Sequence, residues 1–210
     1  TMKKIRVAIK YGGKSAEHEV SINSARNVLA ALDSERYEPV LLGISKTGQW
    51  MLQDNAHTLL NSIKGTKVVV VPEANGMLRT LQGKASEKID VVFPVLHGPF
   101  GEDGAIQGLL RIANIPYVGP NVLASAISMD KDIMKRLCRE AGLRVAPGIV
   151  VRKGEYIDTK ILEKDHPYPL FVKPANMGSS VGVRKVTKRS ELSSALSDAF
   201  LYDSKVLIEE

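Results

Sequence analysis

Two short stretches of the sequence carry side chains that could act on a small charged molecule. The first is the turn Gly12-Gly13-Lys14-Ser15-Ala16-Glu17-His18-Glu19-Val20-Ser21, which follows an apolar run and leads into residues recurring at helical spacing. Glu17 falls at the start of that helix, where exposed backbone N–H groups favour an ionised carboxylate. A fixed carboxylate there suits an ammonium ligand, but it would equally stabilise its own helix, and spacing leaves both readings open. The second is Asn176-Met177-Gly178-Ser179-Ser180-Val181-Gly182, just after Lys173. Small hydroxyl residues and glycines can bring backbone N–H groups close to phosphate oxygens, and the Lys173 ammonium would add a point charge. An ordinary hairpin with a solvated lysine has the same composition.

Two other motifs fail on inspection. Gly13-Lys14-Ser15 imitates the end of a phosphate-binding P-loop, but the glycine required earlier in that motif is replaced by Ala8. The dinucleotide pattern of three spaced glycines lacks its third. His97 ends the apolar run Ile89 to Leu96, at the edge where open α/β sheets place ligands, although a histidine there is often structural. Lys131, near a helix start, and Glu209, on the last strand-like run, carry little local signal.

These residues need elements to hold them. Ile5 to Ile9 reads as a strand, and Val20, Ile22, Ala25, Val28, Leu29 and Leu32 as a helix. Val40 to Ile44, Trp50 to Leu52 and Val68 to Val71 read as strands, with a loop over about 53–66. Ile89 to Leu96 has the texture of a parallel strand buried on both faces. Ile106, Leu109, Leu110 and Ala113 make a helical stripe, followed by a short strand Pro116-Tyr117-Val118. A helix from Asp130 to Ala141 ends at Gly142. Thereafter strands dominate: Ile149 to Val151, Leu170 to Lys173 and Val183 to Val186. Ser190 is expected to cap a helix carrying Leu192, Ala195, Leu196, Ala199 and Phe200, and Lys205 to Glu210 begins a strand that stops, which reads as a truncated chain.

Composition excludes several classes. The 210 residues are 44% hydrophobic and 25% charged, which is ordinary for a globular chain of one domain and part of another. No apolar run approaches the roughly 20 residues of a membrane span, and no secretory segment opens the chain, so a cytoplasmic protein without membrane contact is expected. Cys138 is the single cysteine, read as a buried thiol on a helix. The net charge of +6 is dispersed, and its one dense cluster, Arg184, Lys185, Lys188 and Arg189, lacks interleaved aromatics. Nucleic-acid binding is not expected.

In combination, Gly12 to Ser21, Leu96-His97-Gly98, Gly101-Glu102-Asp103-Gly104 with Gln107-Gly108, Met129-Asp130-Lys131, and Phe171-Val172-Lys173-Pro174 leading to Gly178-Ser179-Ser180-Val181-Gly182 closely resemble the bacterial D-alanine–D-alanine ligases. The resemblance implies an α/β fold: a Rossmann-like, parallel-sheet N-terminal domain over residues 1–128, then the first, incomplete α+β part of an ATP-grasp domain over 129–210. It implies ATP-dependent joining of two D-alanines through an acyl phosphate, for peptidoglycan synthesis. By matching positions, Glu17 would hold the first D-alanine's ammonium and Ser179 would hydrogen-bond within the same site. His97 would lie near that substrate's carboxyl group, Lys131 and Lys173 would contact ATP phosphates, Ser180 would belong to the phosphate loop, and Glu209 to the segment reading adenine. Mg²⁺ or Mn²⁺ is implied too, with ligands beyond Glu210, so the 210-residue chain alone is expected to be inactive. A homodimer is the family's common state. A ligase joining D-alanine to D-lactate or D-serine, or a non-catalytic binding module, is the alternative.

Overall fold

The computed structural model describes residues 3–53, 63, 65–72 and 75–210. The loop expected over about 53–66 lies largely outside the described residues. The chain divides into two compact units, residues 1–125 and 126–210.

In the first unit, β1 (Ile5–Gly12) runs into α1 (His18–Ala31) and β2 (Tyr37–Ile44). Then come β3 (Trp50–Leu52), β4 (Thr66–Val69), β5 (Met77–Thr80), β6 (Ala85–Lys88) and β7 (Val91–Pro94), followed by α2 (Ala105–Ile112); α3 (Val122–Met129) begins in this unit and ends in the second. The seven strands are ordered β6-β5-β4-β3-β2-β1-β7. Only β2, β1 and β7 run parallel, and β3 to β6 extend the sheet antiparallel. The expected parallel sheet is therefore the core of a mixed one.

Side chains alternate across a strand, and β1 uses both faces. Ile9 and Tyr11 pack with Ile22 and Ala25 of α1 on one side. Ala8 packs with Val40, Leu42, Ile106 and Leu110 on the other. The run Ile89 to Leu96, expected to be a parallel strand buried on both faces, is one: β7 pairs parallel with β1 over Val91–Pro94 at the sheet's margin, Val92 and Leu96 join the cluster of Ala8, and Val95 joins that of Ile9. The predicted strand Pro116 to Val118 is reduced to one bridge, Tyr117 with Val92.

The second unit contains α4 (Lys131–Glu140), β8 (Gly148–Arg152), α5 (Thr159–Asp165), β9 (Leu170–Pro174), β10 (Arg184–Val186), α6 (Arg189–Ala199) and β11 (Lys205–Glu209). Its sheet is ordered β10-β9-β11-β8, and every pair is antiparallel. Val172 and Ile208, paired across β9 and β11, face a core shared with Leu192 and Ala195 of α6. Alternation therefore turns Lys173 and Glu209 to the opposite face. Asp130 caps α4, its Oδ1 accepting from the backbone N–H groups of Asp132 and Ile133 at 3.0 and 3.2 Å. Ser190 does not cap α6: that helix begins one residue earlier, with Lys188 at the cap position. Cys138 lies on α4 but is only half-buried.

No helix among the described residues is long and apolar enough to cross a membrane. The basic cluster is largely neutralised locally. Arg184 pairs with Asp198 at 2.6 Å, Arg189 with Glu163, and Lys188 with Glu191 at 4.0 Å.

Candidate functional site

Two groups of side chains, one in each unit, contain the residues singled out by sequence. In the first unit, Glu17 stands at the cap position of α1 but makes no side-chain capping bond to that helix. The carboxylate turns toward the segment leaving β7, and a Cβ built on Gly98 would meet Glu17 Oε2 at 2.5 Å. Gly98 has φ +70°, a conformation that costs glycine little. Absence of a side chain at Gly98 thus lets the carboxylate and the backbone share the space. Glu17 is 7% exposed.

Hydrogen bonds fasten this arrangement. Ser15 Oγ accepts from the Glu17 backbone N–H at 3.1 Å and donates to the His97 carbonyl at 2.8 Å. His97 Nε2 lies 3.0 Å from Ser24 Oγ on α1. Ser21 Oγ accepts from the Gly12 backbone N–H at 2.8 Å and donates to the Val95 carbonyl. Gly98 N–H donates to Glu102 Oε2 at 2.7 Å. The helix start and the strand exit, 80 residues apart in sequence, are in this way one assembly in which Glu17 and His97 are neighbours. A cavity of about 220 Å³ has Ser15, His97, Lys10 and Trp50 in its wall, but not Glu17. Lys10 Nζ lies over the Trp50 ring, buried and without a hydrogen-bond partner among the described residues. Burial drives its ammonium well below its ordinary pKa.

The second group lies on the sheet face opposite the α6 core. Glu209 forms two ion pairs, Oε1 with Lys173 and Oε2 with Lys135 of α4. Lys131 Nζ donates to the carbonyls of Met177 and Ala175, at 2.5 and 3.3 Å. Its pKa is lowered, first by burial and then by the charge of Lys173. Two ammonium groups close enough to repel each other, one hydrogen-bonded to carbonyls and only partly offset by the charges of Asp203 and Asp130, make a place that welcomes an anion. Ser179 and Ser180 follow with φ of +43° and +62°, and Gly182 with +71°. Successive left-handed residues are uncommon outside glycine and cost of order 1–3 kcal/mol each, a strain typical of ligand-clamping loops.

The structure thus assembles Glu17 with His97, and Lys131, Lys173 and Glu209 with one another. Sequence reading missed three residues. Ser15 shows its role only through its bonds to both segments. Lys135 follows Lys131 by four residues, a spacing that puts both on one helix face. Lys205 joins Asp130 at 2.5 Å and Asp132 at 3.3 Å, tying β11 to the start of α4. Among the described residues, no group of three His, Cys, Asp or Glu could hold a metal ion.

The mixed α/β sheet followed by an antiparallel sheet bearing lysines and a flanking hydroxyl-rich turn belongs to the ATP-grasp class. The "D-ala D-ala ligase N-terminus" family matches residues 6–120 and the "D-ala D-ala ligase C-terminus" family residues 137–210. The chain belongs to the D-alanine–D-alanine ligase family. It is 49% identical to a D-alanine–D-alanine ligase of Oceanobacillus iheyensis, covering 100% of this chain and 60% of that protein. Identity to D-alanine–D-alanine ligase A of Escherichia coli K12 is 45%, covering 100% and 61%. Among solved structures, the D-alanine–D-alanine ligase of Coxiella burnetii superposes with a TM-score of 0.89 at 32% identity, covering 99% of this chain and 61% of that one. The VanG D-Ala:D-Ser ligase of Enterococcus faecalis gives 0.87 at 34% identity, covering 99% and 63%. The Bacillus anthracis D-alanine–D-alanine ligase complexed with ATP gives 0.72 at 33%, covering 99% and 57%. The chain spans about 60% of the length of its curated relatives.

Proposed function

We propose that this chain supplies the first-substrate side and part of the nucleotide side of an ATP-dependent ligase that joins two D-alanines for peptidoglycan synthesis. Residues 1–128 would form the N-terminal domain and 129–210 the start of the ATP-grasp domain. The observation that carries this reading is the buried Glu17 carboxylate wedged against Gly98, on a backbone that Ser15 ties to the His97 carbonyl. A rigid, water-poor anion of this kind binds an ammonium strongly because little reorganisation is needed.

In the reaction, a carboxylate oxygen of the first D-alanine attacks the γ-phosphorus of ATP, and the bond to ADP breaks. The amine of the second D-alanine then attacks the acyl phosphate carbon and loses a proton as inorganic phosphate leaves. Both steps crowd anions, so catalysis depends on fixed positive charge and alignment. Lys131 and Lys173 would supply charge to the ATP phosphates, with Ser180 in the phosphate loop. Glu209 would belong to the adenine-reading segment. Glu17 would hold the first ammonium, His97 would lie by the carboxyl group, and Ser179 would hydrogen-bond to the same substrate. Mg²⁺ or Mn²⁺ would neutralise phosphate charge, and among the described residues no group of three His, Cys, Asp or Glu could ligate it.

The resemblance to a ligase named for D-serine supports a second reading in which the second substrate differs. In the intact protein, ADP release measured with D-alanine alone and with D-alanine plus D-serine or D-lactate distinguishes the two. Robust release with D-alanine alone is expected. No release with any D-alanine-containing mixture would refute both readings.

A further inference from the structure

Glu209 raises a question of charge. Its carboxylate is buried and shared between two lysines, one oxygen to each. If Lys173 serves the phosphates of ATP, as proposed above, it must give up some or all of its hold on Glu209 when the nucleotide arrives. A buried carboxylate that loses its only cation is strongly disfavoured, because neither water nor an opposite charge replaces what was lost. Glu209 has a second cation. Lys135 is itself buried, and its Nζ also donates to the Ala146 carbonyl at 3.1 Å, which fixes the ammonium independently of Glu209. A cavity of about 410 Å³ opens beside the pair, with Lys135, Arg139, Leu207 and Glu209 in its wall.

We infer that Lys135 is a positioning residue of the nucleotide site: it keeps the Glu209 carboxylate in place and compensated while Lys173 turns to the phosphates. It touches neither substrate and acts through Glu209. Lys135 and Lys131 then divide the work along one face of α4. Lys131, hydrogen-bonded to two carbonyls, meets the anion, and Lys135 keeps the acid from competing for Lys173. The inference rests on the ATP-binding role of Lys173.

Steady-state kinetics of the intact protein tests it with Lys135→Met, Lys135→Arg, Lys173→Ala, Glu209→Gln and the double variant Lys135→Met/Glu209→Gln. The Lys135→Met change is expected to raise the KM for ATP about tenfold or more, the effect of stranding a buried charge on binding. It is expected to lower kcat less than about threefold, and Lys135→Arg to recover most of the loss. With Gln at position 209 there is no anion to compensate, so Lys135→Met is expected to add nothing to the effect of Glu209→Gln. This comparison serves equally if Lys135→Met alone fails to fold. An unchanged ATP KM in Lys135→Met, or an equal further loss in the double variant, would overturn the inference. An unchanged ATP KM in Lys173→Ala would instead overturn the nucleotide reading and this inference with it. A Lys173→Ala defect alongside a silent Lys135→Met would sink the inference alone.

Discussion

A methyl group on Gly98 would stand 2.5 Å from Glu17 Oε2, on a backbone with φ +70°. The Gly98→Ala variant must shift the carboxylate or strain the turn, and a left-handed alanine costs of order 1–3 kcal/mol. We expect an intact protein destabilised by about 1–2 kcal/mol, with a raised KM for D-alanine and a nearly unchanged KM for ATP. Thermal melts and initial rates check both parts, and a defect confined to ATP would contradict the placement of substrate beside Glu17. Glu17 and His97 were legible in sequence as candidates because an acid at a helix start and a histidine at a strand exit are recognisable positions. Spacing alone does not set them side by side, since that depends on Ser15 bridging two distant segments and on the missing side chain of Gly98; the family resemblance is what put both at the first D-alanine. Lys135 escaped because its meaning lies in Glu209, 74 residues away.

At the scale of elements, β1 carries a residue at odds with its surroundings. Lys10 is wholly buried between Ile9 and Tyr11, and its amine has no hydrogen-bond partner among the described residues. An unsatisfied buried polar group costs roughly 1–3 kcal/mol, so Lys10→Met should raise stability by about that amount. The pH dependence follows from the lowered pKa. Below the ordinary value of 10.5 and above the folded value, the unfolded chain binds one proton more. Stability should therefore rise with pH across that window by up to about 1.4 kcal/mol per pH unit and be lost as pH falls through it. Denaturant titrations at several alkaline pH values should show this slope in the parent and a flatter one in Lys10→Met; equal slopes would show that Lys10 is protonated in the fold. Asp130→Ala removes the α4 cap and one of the two partners of Lys205, and a loss of roughly 1–2 kcal/mol is expected by the same titration. Strong periodicity made β1, β2, α1, α4, β9 and β11 readable. The short polar β5 and β6 and the helices α3 and α5 were not, because each is brief or weakly patterned. Asp158, whose side chain accepts from the N–H groups of Lys160 and Ile161, was an available cap signal for α5.

For the molecule as a whole, the order of elements and the family motifs spoke together. Alternating strands and helices followed by a stretch where strands dominate indicated a change of architecture, although neither the antiparallel pairing of the second sheet nor the antiparallel extension β3 to β6 was visible as such. Faces of the sheets follow from alternation, which sets Val172 and Ile208 toward the α6 core and Lys173 and Glu209 on the other face. Partner strands do not, because pairing depends on packing across the whole unit. The most direct measurement of the central claim compares Glu17→Gln and Lys173→Ala in the intact protein, with D-alanine and ATP each varied at saturating levels of the other. The account predicts that Glu17→Gln raises the KM for D-alanine far more than that for ATP, and that Lys173→Ala does the reverse. Identical kinetics in both variants, or the two effects exchanged, would contradict it.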